Sequence, residues 1–132
     1  MATSGSAAEH AYQYVALRCV PRADREEFVN VGVVLYCHST DYLDCAWRVD
    51  AARVGAIDAL IDPSQLRSAL GFVDAVCAAS PTAGPAGKAT TSQRFGFLKA
   101  PRSTVLQPGP VHGGLTADPA RQLEHLLSQL VG

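Results

Sequence analysis

The sequence contains no apolar run that approaches the roughly 20 residues needed to cross a lipid bilayer. Its first ten residues, MATSGSAAEH, lack the basic and apolar regions of a signal peptide, and we expect a frayed polar terminus there. The formal net charge of -1 gives no electrostatic basis for sequence-independent binding to nucleic acid or to an anionic membrane. We therefore expect no nucleic-acid partner and no membrane association.

The four cysteines, at positions 19, 37, 45 and 77, include no CxxC pair. This pattern predicts free thiols and a cytoplasmic protein. Cys37 and Cys45 flank a predicted hairpin loop that contains His38, so these three side chains could meet as zinc ligands. Both cysteines fall on apolar strand faces, where free cysteine behaves as a small hydrophobic residue. We favour the apolar interpretation and predict no metal and no cofactor.

The chain does contain enough apolar residues for one core, because 48% of its 132 residues are hydrophobic. Alternation and β-branched content predict strands at residues 12–20, 29–37 and 43–49. The polar link HSTDY between the last two is short enough for a hairpin. The three strands are expected to form an antiparallel meander whose middle strand is the most buried.

Helices are predicted downstream, each beginning at an aspartate that can cap its first turn: Asp50, Asp62 and Asp118. Residues 81–91 are rich in glycine, proline and alanine and predict a flexible loop. RFGFL, at 94–98, is expected to be extended, and a further strand is expected around STVLQ, at 103–107. The prediction is a single α+β domain at 12–132 after a disordered terminus at 1–11. Its antiparallel meander of three or more strands is packed by two to three helices.

Asn30 and Gly32 interrupt a run of valines in the second predicted strand, and both are poor strand residues. One interpretation is structural: Gly32 relieves crowding opposite an aromatic ring or marks a bulge, and Asn30 satisfies nearby backbone. The other is functional, with Asn30 and Gly32 on one strand face next to Glu27, and with Arg18 paired to Glu27. An Arg–Glu pair beside an amide could fix a polar ligand or a partner's backbone.

His112 precedes Gly113 and Gly114 and lies ahead of a predicted helix start that favours anions. A glycine pair is more often a simple turn, and the lysine and spacing of a phosphate loop are missing. Ser103 and Thr104 would act as nucleophiles only if a base such as His112 reached them. The predicted polar cluster comprises Arg18, Glu27, Asn30, Gly32 and His112.

Two motifs give the chain a family resemblance. LRCVPRADREEFVNVGVVLY is similar to a pattern of an arginine, a proline and then Glu-x-x-Asn-x-Gly-Val, here Arg18, Pro21, Glu27, Asn30, Gly32 and Val33. STVLQPGPVHGGLTADP is similar to a second pattern, through Ser103, Gln107, His112, Gly114, Thr116 and Asp118. Both resemble the small bacterial domain-of-unknown-function family numbered 3037, over nearly the whole chain after residue 11. The resemblance implies no established activity. It implies that the gene lies beside a gene that encodes a HipA-like kinase.

Three hypotheses follow for function. The leading one is a non-catalytic cytoplasmic accessory protein that binds another protein, with a HipA-like kinase as the partner implied by the resemblance. The alternative is a small hydrolase or transferase for a phosphorylated or nucleotide-like substrate, with Glu27 as general base and Arg18 and Asn30 holding the anion. A carboxylate beside an arginine has a lowered pKa, which disfavours that base. A homodimer through the exposed edge of the meander is the third.

Overall fold

The computed structural model describes residues 8–21, 27–100 and 105–132. The described elements are strands β1 (His10–Cys19), β2 (Val29–Cys37) and β3 (Tyr42–Trp47), helices α1 (Ala51–Ile57) and α2 (Pro63–Cys77), a 3-10 helix (Pro81–Lys88), helix α3 (Thr91–Lys99), strands β4 (Leu106–Pro108) and β5 (His112–Thr116), and helix α4 (Pro119–Leu130). Within these ranges, no helix is both long enough and apolar enough to span a bilayer.

The strands form one open antiparallel sheet in the order β3-β2-β1-β4, and β5 also pairs with β1. The predicted meander of the first three strands and the α+β fold class are thereby confirmed. β4 and β5 follow each other along the outer edge of β1, β4 beside Leu17–Cys19 and β5 beside His10–Tyr14. β1 therefore lies inside the sheet, β3 forms one edge, and β4 and β5 together form the other.

Helices cover both faces of the sheet, so two cores form. The larger core contains residues of α1, α2 and α3 with Val15, Leu17 and Val34 of the sheet. The smaller core places Leu123 and Leu126 of α4 against Val33 and Leu35 of β2 on the opposite face. β2 contributes to both cores, and Val31 to Cys37 are all buried. The prediction that the middle strand is the most buried is confirmed.

Each predicted aspartate cap is confirmed. The Asp50 carboxylate accepts from the backbone N–H of Ala52 and Arg53, the Asp62 carboxylate from Ser64, and the Asp118 carboxylate from Arg121. These bonds satisfy donors that have no partner inside the helix. In α2 and α4 a proline follows the cap directly, where its missing N–H costs no intrahelical bond.

Three sequence predictions differ from the structure in the second half of the chain. RFGFL is not extended but lies in α3, because Thr90 and Gln93 form a reciprocal capping box. Residues 81–88, predicted as loop, form a 3-10 helix kinked at Gly84. The glycine pair after His112 lies in β5 rather than in a turn.

Two of these local structures depend on contacts far along the chain. The Arg94 guanidinium donates to the carbonyls of Val76 and Cys77, at 2.9 and 2.7 Å, and so anchors α3 to the end of α2. β5 is held by its ladder to β1.

Other boundaries shift less. β1 begins at His10, two residues before the predicted domain boundary at residue 12. The strand expected around STVLQ is β4, Leu106–Pro108, and Ser103 and Thr104 lie outside the described residues.

A bulge in β2 changes which side chains share a face. Leu17 of β1 is opposite Gly32, but the next residue, Arg18, is opposite Asn30, so Val31 has no partner on β1. Gly32 faces Trp47 in the larger core, whereas the Asn30 amide reaches α4 on the other side. The expectation that Asn30 and Gly32 share a face is therefore wrong, because Val31 shifts the alternation by one residue.

Gly32 permits a close approach between β2 and β3. A Cβ atom at this position would lie 2.8 Å from Cβ of Trp47 and 2.9 Å from the carbonyl oxygen of Ala46. The carbonyl oxygen is part of the β3 backbone, and the Trp47 Cβ atom is bonded directly to that backbone. Neither atom can move unless the strand moves. The structural interpretation of Gly32, crowding opposite an aromatic residue beside a bulge, describes this arrangement.

We expect Gly32→Ala to lower the free energy of unfolding by about 1 to 3 kcal/mol, because the added methyl forces β2 and β3 apart. Urea denaturation followed by fluorescence of the single tryptophan, Trp47, measures the change.

Gly71→Ala is the matched control, because no atom lies within 4 Å of its added Cβ and the residue lies within α2. Alanine there should raise stability by about 0.5 to 1 kcal/mol through its helix propensity. Equal effects at the two positions would contradict the steric account of Gly32.

Candidate functional site

Three polar side chains cross the sheet in one line. Arg18 on β1 stands opposite Asn30 on β2 and opposite Gln107 on β4. Directly paired residues project to the same face of a sheet, and this face is the one that α4 partly covers. The register alone therefore groups an arginine, an asparagine and a glutamine.

The Arg18 guanidinium is held by packing. Its Cζ atom lies 4.1 Å from the ring centroid of Phe28, a cation–π distance. It also lies against the backbone of Gly109, where a Cβ atom would come within 3.0 Å of Cζ. The Nε atom of Arg18 is buried and has no hydrogen-bond partner among residues 8–21, 27–100 and 105–132. Phe28 is 46% exposed, so this stack lies at the protein surface.

Asn30 connects the sheet to the end of α4. Its Nδ2 atom donates to the carbonyl oxygen of Leu130 at 3.2 Å, and this carbonyl is among those that a helix cannot satisfy internally. Its Oδ1 atom is buried and has no hydrogen-bond partner in the part of the chain that the structure describes. The amide nitrogen is thus used for a contact between elements 100 residues apart in the chain, which favours the structural interpretation of Asn30.

We expect Asn30→Ala to lower the free energy of unfolding by about 1 to 2 kcal/mol, because it leaves the Leu130 carbonyl without its donor. The measurement is urea denaturation. Gln129→Ala, an exposed amide on α4, is the control and should change stability by less than about 0.5 kcal/mol. Unchanged stability in Asn30→Ala would instead favour a ligand- or partner-binding role for this amide.

His112 belongs to a different part of the same face. It is opposite Tyr14, and the two rings lie 5.3 Å apart between centroids. Tyr14 and Arg18 are four residues apart on β1, which corresponds to roughly 13 Å along an extended strand. Among the predicted residues the structure brings Arg18 and Asn30 together. It places His112 on β5, opposite Tyr14 of β1. Glu27 is exposed and directly precedes Phe28.

α4 packs mainly against β2 and β3 and buries Tyr12 of β1. Among the described residues, Tyr14, Arg18, Gln107 and His112 on the rest of this face stay partly or fully exposed. We call this surface the open sheet face and define it by Tyr14, Arg18, Phe28, Gln107 and His112. The sequence does not predict Tyr14, Phe28 and Gln107 as site residues. The alternation of β1 relative to Arg18 is a signal for Tyr14, but the pairing with Gln107 depends on a strand register that the sequence does not specify.

The sheet separates Cys37 from Cys45. Cys37 belongs to the smaller core and Cys45 to the larger, so they face opposite sides. His38 makes a 2.7 Å hydrogen bond through Nδ1 with the Tyr36 hydroxyl. In the described ranges no three His, Cys, Asp or Glu side chains are grouped as a metal site. All four cysteines are buried and free.

One thiol takes part in a hydrogen-bonded group. Asp74 of α2 accepts from Cys45 Sγ and from Trp47 Nε1, both at 2.9 Å, and so joins α2 to β3. The pKa of the Cys45 thiol is raised above its usual value by a hydrogen bond with Cys77, by burial and by Asp74. A raised pKa keeps the sulfur protonated, and the protonated thiol is a poor nucleophile.

We expect Cys45 in the folded protein at pH 8 to react with iodoacetamide at least about tenfold more slowly than the same cysteine in denaturant. Mass spectrometry of digested samples taken over time identifies the modified position. The denatured chain is its own control, because all four cysteines are then accessible. Rapid modification of Cys45 in the folded state would contradict the assignment.

A shallow depression of about 350 Å³ lies at the start of α4, lined by Thr116, Ala117, Asp118, Arg121, Gln122 and His125. Thr116 and Asp118 are already hydrogen-bonded within the chain. The Thr116 hydroxyl accepts from Asp118 N–H and donates to the Asp118 carbonyl, and the Asp118 carboxylate accepts from Arg121 N–H. The carboxylate occupies the place that an anion would take at this helix end. This depression is therefore a weaker candidate than the open sheet face.

Comparison with known proteins identifies a family. The profile of the family described as "Protein of unknown function (DUF3037)" matches residues 14–131. The match covers most of the 132 residues, so the chain belongs to this family. The resemblance carried by the two motifs is thereby confirmed. Neither the curated proteins nor the solved structures contain a match.

Proposed function

We propose that this member of the DUF3037 family is a non-catalytic, cytoplasmic protein-binding module that binds its partner through the open sheet face. The observation that carries the proposal is the stack of Arg18 on Phe28, with 4.1 Å between the guanidinium carbon and the ring centroid. Arginine and aromatic residues are the types that contribute most to protein–protein binding energy.

Packing prepares this stack for binding. The guanidinium lies against both the Phe28 ring and Gly109, so little of its side-chain freedom remains to be lost on association. Ordering a mobile, rotamer-rich side chain costs about 0.5 to 1.5 kcal/mol, and a pre-positioned one avoids most of this cost. The half-exposed ring supplies apolar area beside the charge.

The arrangement favours a partner with a carboxylate next to an apolar group. A guanidinium binds a carboxylate through two parallel hydrogen bonds. The partner that we propose is a HipA-like kinase. The choice of this class rests on the family resemblance, and the charge and shape of the surface support only an acidic docking segment.

Phe28→Ala tests the surface directly. The tagged protein is first purified from its native host, and the recovered partner is then titrated against the wild type and the variant. We expect Phe28→Ala to weaken binding at least about tenfold, because it removes both the ring and the support of Arg18. Gly109→Ala should weaken binding in the same direction, because its methyl displaces the guanidinium while the charge remains.

Phe72→Ala is the matched control, since this residue is 41% exposed on α2, on the other face of the sheet. It should leave the affinity unchanged. Recovery of the tagged protein as a solitary species, or equal losses in Phe28→Ala and Phe72→Ala, would refute the proposal. Recovery of a stoichiometric partner that is not a kinase would refute only the partner class.

A further inference from the structure

The β5 strand lies at a free edge of the sheet. Within the described chain it pairs only with β1. Residues 111–117, VHGGLTA, contain no lysine, arginine, aspartate, glutamate or proline. Edge strands are ordinarily protected from pairing by such residues, so this edge is unusually open to another strand.

The hydrogen bonds of β1 identify which main-chain groups of β5 point outwards. The carbonyl of Ala16 accepts from Gly109 N–H at 2.7 Å, and Val20 N–H donates to the Val105 carbonyl at 2.7 Å. Even-numbered residues of β1 therefore direct their main-chain groups towards β4 and β5. Their partners on β5 are His112, Gly114 and Thr116. Gly113 and Leu115 consequently direct their N–H and C=O groups away from β1.

The side chains beside this edge are apolar and exposed. Leu115 is 62% exposed, and Val111, immediately before β5, is 42% exposed. They stand at equal distances in the sequence on either side of Gly113. Residues two and four apart on a strand project to the same face, so both lie on the face opposite the open sheet face.

We propose that β5 pairs antiparallel with β5 of a second copy of this chain, about a two-fold axis at Gly113. In this register the two Gly113 residues are opposite each other. On either side of them, Val111 of one copy is opposite Leu115 of the other. Every outward-directed main-chain group at these positions then has a partner, and the exposed apolar side chains contact each other. The edge carries a pattern complementary to itself, which is the requirement for a symmetric dimer.

The contact area sets the concentration at which the dimer forms. One pair of short edge strands buries less than the roughly 1,600 Å² of a standard interface, so the dimer should dissociate on dilution. Sedimentation equilibrium of the purified wild type, over protein concentrations up to about 1 mM, measures this dissociation. The mass should rise from 13.9 kDa towards twice that value as concentration increases.

Two variants test the edge. Leu115→Pro removes an N–H that points away from β1, so the ladder within the chain is retained. Leu115→Lys retains the N–H and places a charge opposite Val111. Each should weaken dimerisation by about tenfold or more, with circular dichroism unchanged. Should one variant fail to fold, the other still decides.

Leu60→Lys is the control, because Leu60 is 92% exposed outside β5 and should leave the dimer unchanged. The proposal fails if the wild type remains monomeric throughout the range, which would assign the edge to no second copy. It also fails if folded Leu115 variants dimerise as well as the wild type. Because the purified chain is used alone, the result is independent of the partner proposed for the open sheet face.

Discussion

The surplus residue Val31 in β2 is the constraint on which the arrangement of the site depends. Without it, Asn30 and Gly32 would share a face, and either the amide would enter the larger core or the glycine would face α4. With it, the glycine meets Trp47, where a side chain would not fit, and the amide meets the end of α4. A one-residue shift in a strand inverts every side chain beyond it. The bulge therefore lets β2 contribute apolar side chains to both cores and also place Asn30 in line with Arg18 and Gln107.

The position of α4 then determines what remains accessible. Leu123 and Leu126 hold this helix over β2, and Asn30 fixes its last turn. The helix consequently covers β2, β3 and Tyr12 of β1. Among the described residues, Tyr14, Arg18, Gln107 and His112 on that face keep exposed surface. Among the described residues, Phe28 and Gly109 lie against the Arg18 guanidinium. The same packing that completes the smaller core thus creates the open sheet face.

Local signals predicted the first half of the fold well. Alternation identified β1 to β3, and an aspartate followed by a suitable first turn identified α1, α2 and α4, because these patterns depend on neighbouring residues alone. The errors fall in segments that distant contacts hold in place. RFGFL lies in α3, which the Thr90–Gln93 capping box begins and which Arg94 anchors to the end of α2, and β5 is a strand because β1 pairs with it. A glycine pair and an aromatic run contain no local record of those partners.

The candidate site was predicted only in part for the same reason. Arg18 and Asn30 are grouped as the hairpin of β1 and β2 suggests, yet the bulge and the line to Gln107 depend on strand registers that composition does not determine. The sequence signal that groups His112 with them is the glycine pair that follows it, Gly113 and Gly114. In the structure those glycines serve the ladder with β1, and Gly114 leaves room for the ring of Tyr12, since a Cβ there would lie 2.7 Å from the hydroxyl oxygen of that tyrosine.

The two proposed surfaces are geometrically compatible, and their combination has a consequence. A two-fold axis between antiparallel edge strands runs perpendicular to the sheet, so both copies present the same face on the same side. In the proposed dimer, Val111 and Leu115 would meet on one side of the joined sheet, and the two open sheet faces would lie next to each other on the other. A partner with two docking segments, or a dimeric partner, could then occupy both at once. The second contact would be intramolecular, and its effective concentration would raise the overall affinity without any additional contact within each site.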